Sequence, residues 1–139
     1  MRLWHYALIP VLDNKHLVAL WRECIAIKRQ WEKGTLKHRL VSYVMKHEKI
    51  TFYIYVLEVI NEMNKRNIKY QEKYLNEIYS FCKPSVSEMY PYNNFYHEHN
   101  DRYLKQCYYN LQEKYDRGII SKYEWAKIEK EVKKWNIII

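Results

Sequence analysis

The chain has 139 residues, with 24 Lys and Arg against 16 Asp and Glu and a formal net charge of +8. This length suits one domain with one hydrophobic core. Only 2 glycines and 3 prolines are present, too few for a turn-rich sandwich or barrel and for the clustered glycines of phosphate-binding loops. The composition therefore favours helices and excludes nucleotide chemistry built on such loops.

The cysteines and the hydropathy pattern bear on location. The three cysteines, Cys24, Cys82 and Cys107, form no CxxC pair and no even set, which argues against a disulfide framework and a thiolate zinc site. We therefore expect a reducing, cytoplasmic location. The longest strongly apolar run, residues 50–57, is far shorter than the ~20 residues that span a bilayer. No membrane partner is expected.

The first part of the chain predicts an arm followed by a helix. Residues 1–12 are predicted to be an extended arm, because Pro10 resists helix formation and restricts the residue before it. Asp13 or Asn14 can cap a helix that continues to Gly34, a typical C-terminal residue. Apolar residues at helical spacing support this first helix.

Hydrophobic periodicity predicts further helices along the rest of the chain. Residues 50–60 are rich in β-branched and aromatic types and would also suit a strand, but the apolar stripe continues further and its length favours a buried helix. Ser121 and Glu124 form a predicted capping box. The predicted helices cover about 36–47, 50–66, 70–82, 100–117 and 121–135, with a proline-bracketed loop over 84–99. The chain is thus predicted to be an all-α, compact single-domain bundle over residues 1–139, with a helical body over 13–135.

Aromatic residues are unusually frequent, with 15 Tyr, 5 Trp and 3 Phe among many lysines. Basic side chains release counterions from phosphates and flat rings stack on exposed bases, so this combination is typical of nucleic-acid surfaces. A helical core that uses tyrosine as filler beneath solvated lysines explains the same composition. Composition alone leaves both interpretations open.

The first predicted helix carries the most informative polar pattern. His16 and Glu23 are two helical turns apart and share a face. The residues one turn before and after Glu23 are Ala19 and Ala26, whose small side chains leave room over the carboxylate. Arg22 lies about 100° around the helix, where it can reach a phosphate. A solvated surface glutamate beside an incidental arginine is the simpler interpretation of these residues taken alone.

The pattern D-x-x-H-L-x-A-x-x-R-E over residues 13–23 resembles the first helix of the pyrimidine dimer DNA glycosylases of the phage endonuclease V family. Residues 59–70, VINEMNKRNIKY, are similar to that family's central helix and basic turn, and NLQEK over 110–114 is a weaker likeness. The resemblance implies an endonuclease V-like fold. It also implies a DNA repair N-glycosylase with abasic-site lyase activity on pyrimidine dimers or related lesions, without a cofactor.

By this resemblance the terminal α-amine attacks the sugar C1′, a Schiff base forms, and β-elimination cuts the strand. An α-amine titrates near ~7.7 to 8.0 against ~10.4 for lysine, so more of it is neutral at pH 7. The resemblance implies these roles: Met1 as nucleophile, Glu23 as the supporting acid/base or electrostatic group, and Arg2, His16 and Arg22 on DNA. Lys114 is also expected on DNA, because it can supply charge near a position where the family has an arginine. Ala26 and Asn110 stand where the family has arginines.

We expect the partner to be damaged double-stranded DNA, bound by a monomer associated with the nucleoid. A non-catalytic helical DNA- or RNA-binding module is the main alternative, followed by a protein-interaction domain whose charge serves solubility. The triplet His97, Glu98 and His99 is a weaker feature. In an extended loop its histidines share a side, but further metal ligands at known spacing are missing from the sequence, so no metal site is predicted.

Overall fold

The computed structural model describes residues 1–85 and 95–137. These two ranges contain five α-helices: α1 (Asn14–Lys33), α2 (Lys49–Lys65), α3 (Glu72–Cys82), α4 (Asp101–Asp116) and α5 (Lys122–Lys134). A first 3₁₀-helix at Tyr6–Val11 precedes α1, and a second at Ser42–Lys46 lies between α1 and α2. No strand occurs in these two ranges. The predicted all-α class is therefore confirmed. Most of the predicted loop over 84–99 lies outside the described residues.

Helix α1 begins and ends where its local signals predict. The Asp13 carboxylate accepts a hydrogen bond from the His16 backbone N–H at 3.4 Å, which satisfies a free donor of the first turn. Gly34 follows the last turn with φ of 73°, a left-handed conformation that favours glycine. One face of the helix is buried in the core, through Leu17, Leu20, Trp21, Cys24 and Ile27.

The N-terminal segment is not the extended arm that was predicted. Residues 1–5 lack regular structure, and the chain then turns through the first 3₁₀-helix with Pro10 inside it. The fixed φ of proline fits a 3₁₀ turn, and a helix this short loses little from one missing donor. The His5 ring caps this helix by accepting from the Ala7 N–H at 3.1 Å. Because Leu3 and Leu8 are fully buried, the segment is part of the core.

The prediction of a helix over 36–47 is also wrong, because only the second 3₁₀-helix forms there. Leu36, Val41 and Val44 are all buried. The first two of these are five positions apart, which would place them about 140° apart on an α-helix. An irregular connection can bury both, whereas one helix face cannot. Leu40, next to the buried Val41, is 44% exposed.

Helix α2 is the centre of the fold and packs against α1, α3 and both 3₁₀-helices. Its β-branched and aromatic residues are buried around most of the helix, as predicted for a core helix. The Tyr55 hydroxyl donates a 2.5 Å hydrogen bond to the Trp4 carbonyl, which ties the N-terminal segment to α2. Within the described ranges, no helix is long and apolar enough to cross a membrane.

The remaining helices form where the sequence predicts them. Helix α3 buries Ile78, whereas the next residue, Tyr79, is 51% exposed. Asn100 caps α4, and Ser121 with Glu124 forms the predicted capping box of α5. Helix α4 packs on α5, and α5 packs on the first 3₁₀-helix. The N-terminal segment therefore lies between the α1–α2 pair and the α4–α5 pair.

Candidate active site

A pocket of about 340 Å³ opens where the N-terminal segment meets α1 and α4. Its walls are Met1, Arg2 and Trp4 from the segment, His16, Ala19, Leu20 and Glu23 from α1, Leu40, and Asn110 and Lys114 from α4. The pocket thus brings together all the predicted site residues except Arg22. Arg22 is exposed and does not line it. A pocket of this size is in the range that binds small ligands.

Glu23 presents a carboxylate oxygen whose hydrogen-bonding capacity is unused. The side chain is half-buried, and its Oε2 atom is shielded from solvent without a hydrogen-bond partner in the described part of the chain. A buried polar oxygen without a partner costs free energy. Ala19, one turn earlier on the same face, adds only a methyl group to the wall. The oxygen is therefore suited to act on a ligand in the pocket.

The residues after Met1 are held tightly, so the terminus has a defined place at the pocket. The Arg2 guanidinium lies 5.7 Å from the ring centroids of both Trp4 and Tyr103, and its Nη1 donates to Cys107 Sγ at 3.9 Å. The Tyr103 hydroxyl donates to the Leu3 carbonyl. Cation–π contacts and backbone hydrogen bonds thus anchor the chain directly behind Met1.

His16 is oriented by Asp13 at the start of α1. Its Nδ1 lies 2.7 Å from Asp13 Oδ1, and its ring meets Trp4 edge-on with centroids 6.0 Å apart. Burial alone would raise the pKa of Asp13, but the hydrogen bond and the charge of His16 outweigh burial and lower it. Because Asp13 is then ionised and can only accept, His16 carries a proton on Nδ1. This contact fixes the ring at the edge of the pocket.

Two buried histidines, His5 and His99, help to hold the N-terminal segment in place. The Tyr6 backbone N–H donates to His99 Nδ1 at 3.1 Å, so the neutral ring carries its proton on Nε2, 2.6 Å from the Tyr43 hydroxyl. Burial, with a smaller contribution from the nearby His5, lowers the pKa of His99 to about 3. Burial also lowers the pKa of His5 to about 4. Both rings are neutral at pH 7.

Sequence reasoning missed several pocket residues. Trp4 falls within the predicted arm, Leu20 within the first predicted helix, and Leu40 within a predicted helix that does not form. Asn110 was noted only as a departure from the resembled family, yet it lines the pocket beside Lys114. No local pattern marks these residues, because they meet only when separate segments pack together.

One comparison with known proteins decides the family. The family model described as pyrimidine dimer DNA glycosylase matches residues 1–76, more than half of the chain. The chain belongs to the pyrimidine dimer DNA glycosylase family. No curated protein and no solved structure matches it.

The match to the pyrimidine dimer DNA glycosylase family covers one part of the pocket. Met1, Arg2, His16 and Glu23 lie in the matched range, together with α1 and α2. Asn110 and Lys114 lie beyond it on α4. In this family member, the wall that faces Glu23 is thus completed by a helix outside the matched residues.

Proposed function

We propose that this protein is a DNA repair N-glycosylase with abasic-site lyase activity. Its substrate would be double-stranded DNA carrying pyrimidine dimers or related base lesions, and its nucleophile the α-amine of Met1. The observation that carries the proposal is that Met1 and Glu23 line one pocket. Both lie in the range that matches the pyrimidine dimer DNA glycosylase family.

The proposed chemistry begins with attack of the neutral amine on the sugar C1′. A bond forms between the amine nitrogen and C1′, the bond between C1′ and the base breaks, and the base takes up one amine proton. The bond between C1′ and the ring oxygen then breaks, the second amine proton passes to that oxygen, and a Schiff base results. Removal of a proton from C2′ then expels the 3′ phosphate, and hydrolysis frees Met1. These steps need no metal or organic cofactor.

Glu23 would assist through its unpaired Oε2. A carboxylate can accept the proton released from the amine or from C2′. It can also stabilise the positive charge that develops on the opened sugar and on the iminium. A half-buried position strengthens this electrostatic effect, because water screens the charges less than it does at an exposed site.

Arg2, His16 and Lys114 would hold phosphates at the edges of the pocket. Arg22 is exposed and would contact the backbone outside it. The net charge of +8 favours approach to a polyanion. To bring C1′ to Met1, a duplex has to be bent or a nucleotide displaced, which favours damaged and weakened pairs.

Reductive trapping tests the proposal. Untagged protein incubated with abasic-site DNA and borohydride is expected to form a covalent adduct, which peptide mass spectrometry assigns to Met1. Added residues ahead of Met1 should abolish the adduct, and Glu23→Gln should weaken it. Glu58→Gln, at an exposed position on α2, is the matched control and should trap normally.

Two results would contradict the proposal. Salt-sensitive DNA binding without any adduct would support the non-catalytic binding module instead. An adduct that forms on a lysine, and persists when Met1 is blocked, would keep a lyase but remove the role proposed for the terminus.

A further inference from the structure

A second cluster of reactive side chains lies outside the pocket and shares no residue with it. His47, His97 and Glu98 each offer one ligand atom, and these atoms all lie within 4.8 Å of one another. His47 Nε2 is 2.8 and 3.1 Å from the two Glu98 oxygens, and His97 Nε2 is 3.4 Å from Glu98 Oε2. The fold thus supplies the third ligand that the sequence around His97 lacks.

The cluster joins two distant parts of the chain. His47 ends the second 3₁₀-helix, whereas His97 and Glu98 lie just before α4. The residues on either side of His97 and Glu98 are buried: Tyr96 is 2% and His99 5% exposed. The Tyr96 ring packs edge-on against His47 with centroids 5.0 Å apart. The backbone that carries the cluster is therefore fixed by the core on both sides.

We propose that His47, His97 and Glu98 form a binding site for Zn²⁺. Two imidazole nitrogens and one carboxylate oxygen suit a divalent transition metal, whereas Mg²⁺ and Ca²⁺ prefer oxygen ligands alone. Three protein ligands leave a fourth position of a tetrahedral ion to water. A bound ion would connect the second 3₁₀-helix to the start of α4. This site is separate from the pocket that contains Met1.

The geometry needs only small side-chain adjustments. With metal–ligand bonds of about 2.0 to 2.2 Å, neighbouring tetrahedral ligands stand about 3.4 Å apart. Glu98 Oε2 lies 3.1 Å from His47 Nε2 and 3.4 Å from His97 Nε2, close to this value, and all three ligand atoms lie within 4.8 Å of one another. The His97 side chain is 82% exposed, so rotation of its ring meets little resistance from the core. In the bound state the metal replaces the hydrogen bond between Glu98 and His47 and the ion-pair contact between Glu98 and His97.

Calorimetry and thermal unfolding with ZnCl₂ test the site, using chelator-dialysed protein without a histidine tag. We expect one Zn²⁺ per chain, and a melting temperature raised by about 5 to 10 °C at a hundredfold excess over the dissociation constant. His97→Asn and Glu98→Gln should each weaken binding by about tenfold or more. His38→Asn, at an exposed histidine outside the cluster, should bind as the unchanged protein does.

Visible absorption of bound Co²⁺ gives a second measurement, since its bands report nitrogen and oxygen ligation directly. The bands should appear with unchanged protein and with His38→Asn, and vanish with His97→Asn. Because His97 is exposed, its replacement leaves the metal-free fold intact, which circular dichroism can verify. The proposal would be overturned if the unchanged protein bound no zinc. It would also be overturned if zinc binding survived in both cluster variants, or if it was lost in His38→Asn.

Discussion

The Arg66 guanidinium donates a 2.5 Å hydrogen bond from Nη1 to the carbonyl oxygen of Leu12, where the N-terminal segment turns into α1. Nη1 also donates to Asn14 Oδ1 at 3.0 Å, and Nη2 to the Pro10 carbonyl at 3.0 Å. Glu62, one turn earlier on α2, accepts from Nε at 2.9 Å. A single side chain at the end of α2 therefore fixes the segment that carries Met1.

Replacing Arg66 by lysine should loosen this segment. A lysine keeps the charge but lacks the planar fork that reaches several acceptors at once. We expect Arg66→Lys to lower the free energy of unfolding by about 1 to 3 kcal/mol. Urea unfolding measures this change, and Lys65→Arg at the exposed neighbouring position is the control. A variant as stable as the unchanged protein would contradict the role given to Arg66.

Glu23→Gln should separate activity from stability. Loss of the acid/base group should slow strand cleavage at abasic sites by about 10² to 10⁴ in single-turnover assays. The free energy of unfolding should stay equal or rise by about 1 kcal/mol, because a neutral amide costs less to bury than an unpaired carboxylate. A parallel loss of stability and rate would instead make Glu23 a structural residue.

Lys114→Gln should weaken DNA binding in a salt-dependent way. Each phosphate contact adds close to one unit to the slope of log K against log salt. We expect this slope, measured by fluorescence anisotropy, to become less steep by about 1 in this variant. Lys130→Gln, at an exposed position on α5, provides the comparison. An unchanged slope for Lys114→Gln would remove this lysine from the DNA interface.

Stability should fall as the pH is lowered from 7 to 5. The pKa values of His5 and His99 are lowered to about 4 and about 3 in the folded chain, whereas both are near 6.5 when unfolded. Below pH 6.5 the unfolded chain therefore binds more protons than the folded one, and each histidine costs roughly 2 kcal/mol by pH 5.

Urea unfolding at several pH values measures this loss. His5→Asn keeps a side-chain acceptor for the Ala7 N–H but does not titrate, so its pH dependence should be about half as steep. His38→Asn, with an exposed imidazole, should leave the dependence unchanged. Equal slopes in all three proteins would assign the acid sensitivity to other groups.

Much of the fold could be predicted because its signals are local. Asp13, Gly34 and the Ser121–Glu124 pair each determine a helix end within a few residues of themselves. The N-terminal segment and the connection around Leu36 were predicted wrongly, since tertiary burial decides their shape. Leu3 and Leu36 are buried by contacts that their own neighbours in the chain do not reveal.

The candidate site also has one part that the sequence predicts and another that it does not. His16 and Glu23 share one helix face, so their spacing in the sequence already predicts that they are neighbours. Asn110 lines the same pocket as Glu23 only because α4 packs beside the N-terminal segment, and His47 meets Glu98 across 51 positions of the chain. Contacts of this kind depend on the assembled structure, and the local sequence pattern does not reveal them.

The burial of Leu3 sets a limit on the proposed nucleophile. Leu3 is 0% exposed, so the α-amine of Met1 is joined to the core by two residues, which span about 7 Å at full extension. In the proposed reaction, this short reach requires the sugar to move toward the pocket. The energy needed to deform the duplex then becomes part of how a lesion is selected.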